Sequence, residues 1–168
     1  MKSMAAKCNG KGPDMDGATG GGAGASINRR DWLGLLARAR PNRLVQLCAG
    51  LTTGFSWLRQ PEIGTVMVHG RTGGTGAPFN LGEITVTRGS LQLASGPVGH
   101  GYVQGRDKMA AECAAMVDAL MQTDRAGEVQ AKVIDVLAAE ADAAAQTRAV
   151  KAAATRVEFF TLVRGEDQ

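Results

Sequence analysis

From Asn28 onward the apolar positions of this chain change period several times. Trp32, Leu35, Leu36 and Ala39 recur at three- and four-residue steps and so share one helical face. Asn28, just ahead of them, is a good N-cap, and Asp31 at the third helical position suits the positive helix end. Ile27 and Trp32 have the spacing of a hydrophobic staple. Pro41 ends this helix and opens the next as its N1 residue. Leu44, Leu47, Cys48 and Leu51 form the second stripe, closed by Gly50 and Gly54. From Glu62 the period becomes two. Thr65–His69 reads as a strand, Glu83–Arg88 as a second, Ser90–Ala94 as a third and Val98–Val103 as a fourth. Short connections, including the turn Ser95-Gly96-Pro97, imply an antiparallel meander.

A helical period returns at Asp107, the expected cap of a helix reaching about Met121. Met109, Cys113, Met116, Val117 and Leu120 fall on one of its faces. Asp124 is expected to cap the next helix, with Val129, Val133, Val136 and Leu137 turned inward. That helix runs into a stretch with ten alanines between Ala138 and Ala154. Alanine favours helix but buries little area, so this stretch suits a partner's surface better than a core of its own. Arg156–Arg164 returns to strand composition and is expected to complete the sheet or to augment one on another chain. The expected fold is therefore α+β: an antiparallel β-meander with N-terminal helices, two C-terminal helices, the last alanine-rich, and a final C-terminal strand. Met1–Ser26 holds seven glycines and no apolar period, and reads as a disordered tail ahead of a single domain over residues 27–168.

Composition narrows the class of function. The 168 residues fit one domain, and a net charge of +3 is too mild to argue for nucleic acid. No Lys/Arg cluster interleaves with aromatics, so no nucleic-acid partner is expected. Three cysteines lie far apart without a Cys-x-x-Cys pair, against a disulfide framework and against a zinc site. No apolar run approaches a membrane span, and the N-terminus has lysines without an apolar signal-peptide core. A soluble, cytoplasmic protein without a bound metal is expected.

The chemistry-bearing candidate is the run Gly70–Glu83, where glycines, threonines, Arg71 and Pro78 separate two β-like segments. It lacks the Gly-x-x-x-x-Gly-Lys-Ser/Thr spacing of a phosphate loop. Gly74-Thr75-Gly76 begins the dinucleotide spacing, but Phe79 stands where a third glycine belongs, and a strand follows rather than a helix. Two readings stay open: exposed N–H groups forming an anion nest, or a tight loop packed on a partner. Gly105-Arg106-Asp107-Lys108 is a second candidate, since two cations at a helix start invite an anion or a facing carboxylate. Its bland alternative is a capped helix with solvated cations. His69 and His100 have no evident catalytic partners. Glu83 could orient a hydroxyl or a metal, or pair with Arg71 or Arg88.

Several blocks, in order, resemble one family. They are Asp31-Trp32-Leu33, Arg71-Thr72-Gly73-Gly74-Thr75-Gly76, Phe79-Asn80-Leu81-Gly82-Glu83, Thr85-Val86-Thr87-Arg88, Gly105-Arg106-Asp107-Lys108 and Arg156–Gly165. The chain from about Asn28 onward resembles the PhnG subunits of the bacterial carbon–phosphorus lyase core complex. The resemblance implies assembly with PhnI, PhnH and PhnJ subunits, two copies of each, and a PhnL-type ATP-binding protein. It implies that the complex uses ATP, with Mg, as substrate, and that this chain binds no cofactor of its own. A phosphonate such as methylphosphonate displaces adenine at the ribose, giving a ribose 1-phosphonate 5-triphosphate. The nucleosidase-like chemistry is placed on PhnI, and no catalytic residue carries over to this chain. The resemblance offers Arg71, Gly73, Gly74, Thr75, Gly76, Glu83, Arg88, Arg106, Asp107 and Lys108 as substrate- or partner-binding candidates. A purely structural assembly subunit without ligand contact is the alternative, and a self-contained enzyme is the weakest reading.

Overall fold

The computed structural model describes residues 27–51 and 53–156. Helices α1 (Arg29–Arg38) and α2 (Pro41–Cys48) lead into strands β1 (Phe55–Arg71), β2 (Pro78–Leu93) and β3 (Val98–Gln104). Helix α3 (Lys108–Leu120) follows, then a short α4 (Ala126–Val129), a π-helical turn over Gln130–Ile134, and α5 (Asp135–Ala154). The three strands form one antiparallel sheet in the order β1-β2-β3. The expected α+β architecture with helices before and after a meander is present. The tail Met1–Ser26, and all of the expected final strand after Arg156, lie outside the described residues.

The N-terminal helices form for the reasons their pattern suggests. The Asn28 side chain accepts from Asp31 N–H at 3.1 Å, closing the first turn of α1. Trp32 and Leu36 are buried, with Ile27, Leu35 and Ala39 packed beside them. Pro41 opens α2, which buries Leu44 and Cys48; Leu51 is buried just beyond it. Helix α2 ends at Cys48, short of the two glycines expected to close it.

The strands differ from expectation in length and number. The meander was expected to have four strands, and among the described residues it has three. Glu83–Arg88 and Ser90–Leu93 belong to one continuous strand, because Gly89 stays in the ladder opposite Gly101, while Ala94 already belongs to the turn. Strand β1 begins ten residues earlier than Thr65, at Phe55. The run Arg59-Gln60-Pro61-Glu62 masks it: register shifts surround this run, and an edge strand tolerates the proline.

One face of the sheet is covered by the helices. Leu91, Leu93 and Val103 point to it and meet Val117, Leu120, Val133 and Ile134 in a single core. The seating of β3 on α3 is very close. A Cβ on Gly99 would lie 1.9 Å from the Ala115 carbonyl oxygen, and one on Gly101 would lie 1.9 Å from that of Ala111. Glycine against alanine backbone is what allows this approach. The core stripe of α3 accordingly runs through Ala110, Ala111, Ala114, Ala115, Val117 and Leu120, while Met109, expected inward, is 57% exposed. Asp124 does not cap the next helix; Arg125 precedes α4, and its N–H bonds to Thr123 Oγ1 at 3.2 Å. Val129, Val133 and Leu137 are buried as expected, with Val136 partly so. Beyond Leu137, α5 buries no residue along its alanine-rich length.

Candidate functional site: a projecting β-arm

Strand β3 pairs with β2 only over Val86–Gln92. From Thr85 to Pro78, β2 pairs with β1 alone, so this part of the hairpin leaves the body as a two-stranded ribbon. Both of its faces carry apolar side chains. Val66 and Ile84 pair on one face; Met67 and Ile63 stand on the other. Met67 is 45% exposed, Phe79 45% and Leu81 66%. Leu81 is the residue left without a partner where the register shifts between Val68 and His69. A ribbon of this kind has two unpaired edges and no third layer, so it is not independently stable in water. It also exposes far more apolar surface per residue than a solvated hairpin should.

The glycine-rich run forms the tip of this arm. Thr72–Gly74 is one 3₁₀ turn, and Gly73 (φ 60°) and Gly74 (φ 83°) occupy the left-handed region that favours glycine. The turn closes on itself: Gly76 N–H donates to the Thr72 carbonyl at 2.8 Å, and Arg71 Nη1 donates to the Gly76 carbonyl at 3.2 Å. The tip feeds β2 rather than a helix, so no helix N-terminus stands behind it to cradle a phosphate.

The second candidate segment lies at the other end of the arm. Gly105 N–H donates to the Thr85 carbonyl at 2.9 Å, and the buried Thr87 hydroxyl donates to the Gly105 carbonyl at 2.8 Å. Asp107 caps α3, accepting from Ala110 N–H at 3.0 Å, while Arg106 and Lys108 are exposed. The seven strand steps from Pro78 to Thr85 make the ribbon about 23 Å long. The tip and the Gly105–Lys108 turn therefore do not meet within one chain. Glu83 stands midway, opposite Met67. Arg88, at the base of the arm, donates to Glu62 at 2.9 Å, and Arg59 shares the same carboxylate. The Arg88 hydrogen bond and the nearby Arg59 hold the Glu62 carboxyl below the usual carboxylate range.

Three juxtapositions escape a reading of the chain in one dimension. The first is a buried hub at Asp118 on α3. Its carboxylate accepts from Arg29 Nε at 3.1 Å and Nη2 at 2.7 Å, from Trp32 Nε1 at 3.0 Å and from the His100 backbone N–H at 2.9 Å. The same hydrogen bonding raises the pKa of Arg29. An acid between Val117 and Ala119 in an apolar helix was the available signal, since a buried carboxylate needs donors from elsewhere. The second is Ser90 Oγ, 2.9 Å from His100 Nδ1 on the outer face of the sheet. The neighbouring Asp118 takes the histidine's backbone rather than its ring, so these residues do not form a triad. The third is Cys48 against Cys113, with Sγ 4.0 Å from the Cys113 carbonyl oxygen. The Cys48 thiol is pushed up by its hydrogen bond to Cys113 and by burial. Among the described residues no group of three or more His, Cys, Asp or Glu could hold a metal ion, and no helix is long and apolar enough to cross a membrane.

Residues 27–165 match the family model described as phosphonate metabolism protein PhnG. The chain belongs to the PhnG family. It is 42% identical over 155 residues to the alpha-D-ribose 1-methylphosphonate 5-triphosphate synthase subunit PhnG of Rhizobium meliloti (strain 1021), covering 91% of this chain and 99% of that protein. The family match spans both helical ends and the whole arm.

Proposed function

We propose that this PhnG-family chain is a subunit of a ribose 1-methylphosphonate 5-triphosphate synthase and enters that complex through its β-arm. The observation that carries the reading is the ribbon with apolar side chains on both faces, which needs a partner on each side to be buried. The exposed alanine-rich length of α5 offers a second surface of the same kind. The partners proposed are PhnI, PhnH and PhnJ subunits with a PhnL-type ATP-binding protein, two copies of this chain per core. The reaction proposed for the assembly is transfer of the ribose triphosphate of ATP, supplied with Mg, onto a phosphonate with displacement of adenine.

Within that assembly the arm tip acts as a partner contact, because it lies at the end of the exposed apolar ribbon and closes on itself, Arg71 Nη1 included. Arg106 and Lys108, exposed beside the start of α3, are the cations better placed to face a substrate anion. The test is co-expression with the partner subunits. Met67→Asp combined with Leu81→Asp leaves the core untouched and is expected to abolish co-purification, since buried interface anchors are worth roughly 2 kcal/mol or more each. Arg106→Ala is expected to assemble and to slow adenine release, and Arg71→Ala to assemble with activity near normal. Full co-purification of the double aspartate variant overturns the docking role of the arm. Normal turnover by Arg106→Ala leaves a structural subunit without ligand contact.

A further inference from the structure

Away from the arm, α5 leans over the junction of α1 and α2 and encloses a cleft of about 780 Å³. Its rim carries Arg38, Arg40, Arg43 and Arg148, contributed by α1, the α1–α2 junction, α2 and α5. The acid among the lining residues is Glu140, which Arg43 engages at 2.7 Å. The other three guanidinium groups have no carboxylate partner among the described residues. Below this rim the floor is apolar and small, formed by Leu35, Ala39, Ala141 and Ala144. The cleft follows α5 from Leu137 to Arg148, roughly 16 Å, or about five residues of extended chain.

Such a site asks for an occupant with two properties. Guanidinium groups spaced around a rim pair with carboxylates through charge-assisted, directional hydrogen bonds. A lining of alanine and leucine about five residues of extended chain long gains from burying small apolar side chains, which a compact phosphate does not bring. We propose that the cleft between α1–α2 and α5 receives a short acidic segment of a partner subunit, one that presents Asp or Glu to the arginines and small apolar residues to the floor. This rests on the subunit role proposed above, and it identifies a second docking point, separate from the arm.

The experiment uses the co-expressed complex. Arg148 lies on an exposed stretch of α5, so Arg148→Glu leaves folding intact. It is expected to weaken retention of the partner roughly tenfold, and more steeply as salt rises, whereas Arg30→Glu, outside the cleft, has no such effect. In the Arg148→Lys variant, a carbodiimide is expected to join the new amine to an Asp or Glu of a partner subunit, identified by peptide mass. Unchanged retention by Arg148→Glu overturns the proposal, as does a cross-link confined to Glu140 of the same chain. Equal weakening by Arg30→Glu overturns it in favour of general charge attraction. Binding of inorganic triphosphate that requires Arg148 while assembly is unaffected overturns it in favour of a small-anion site. Failure here with loss of assembly in the arm variants leaves the subunit reading standing; failure of the arm variants alone does not touch the cleft.

Discussion

Gly101→Val is expected to destabilise the chain by about 3 kcal/mol or more. A Cβ at this position meets the carbonyl oxygen of Ala111 at 1.9 Å, and backbone of α3 cannot turn aside as a side chain would. Relief requires β3 to lift from α3, which would open the contact of Val103 and Leu91 with Val117 and Leu120. Ordinary overpacking costs about 1–3 kcal/mol; separation of a strand from its helix is expected to reach the upper end or beyond. Urea unfolding followed by tryptophan fluorescence checks this, with Gly64→Ala as the control, since nothing lies within 4 Å of a Cβ there. The control is expected to unfold close to the parent. A loss under about 1 kcal/mol for Gly101→Val would mean that β3 does not sit on α3 as described.

Asp118→Ala is expected to cost about 3–5 kcal/mol, the range for removing one partner of a buried, hydrogen-bonded charge. The aspartate is fully buried and joins α1, β3 and α3. Its loss strands the indole N–H of Trp32 away from water, a desolvation cost, and removes the acceptor of the part-buried His100 backbone N–H. Arg29 keeps a 43% exposed side chain and can return to solvent, so it adds little to the damage. Arg29→Ala leaves the buried carboxylate without its cation and with only the Trp32 and His100 donors, so it too should be strongly destabilising, by about 3 kcal/mol, and the same unfolding measurement checks both variants. A loss under about 1 kcal/mol in either variant would mean that this carboxylate does not hold the three elements together.

How much of this was legible in the chain depended on whether the signal was local. The Asn28 cap, the Trp32–Leu36 stripe and the Pro41 start are events within one turn, and they read correctly. Asp107 capped its helix for the same reason. Long-range contacts did not read. Gly99 and Gly101 looked like ordinary strand residues until the alanines of α3 were placed against them. The alanines that pack closely are those of α3, while the more conspicuous run in α5 is exposed. The glycine-rich run, the loudest feature of the sequence, is a self-closed tip. Its flanking strands looked short because Pro61 and Gly89 resemble breaks, yet Pro61 falls in an irregularity within β1 and Gly89 stays paired with Gly101. The two candidate segments, the tip and the Gly105–Lys108 turn, lie at opposite ends of the ribbon, a separation that only the strand pairing reveals. The arginine rim of the α5 cleft was equally invisible, because its four members come from three helices and a junction.

The central claim is that the β-arm is buried by partner subunits, and amide hydrogen exchange of the arm tests it most directly. In the chain alone, the amides of residues 65–71 and 78–85 should exchange far faster than those of β3 and α3, because a two-stranded ribbon opens without the core. In the co-expressed complex the same amides should become as protected as the core. Arm amides that exchange equally fast in both states, while the complex remains intact, would contradict the account.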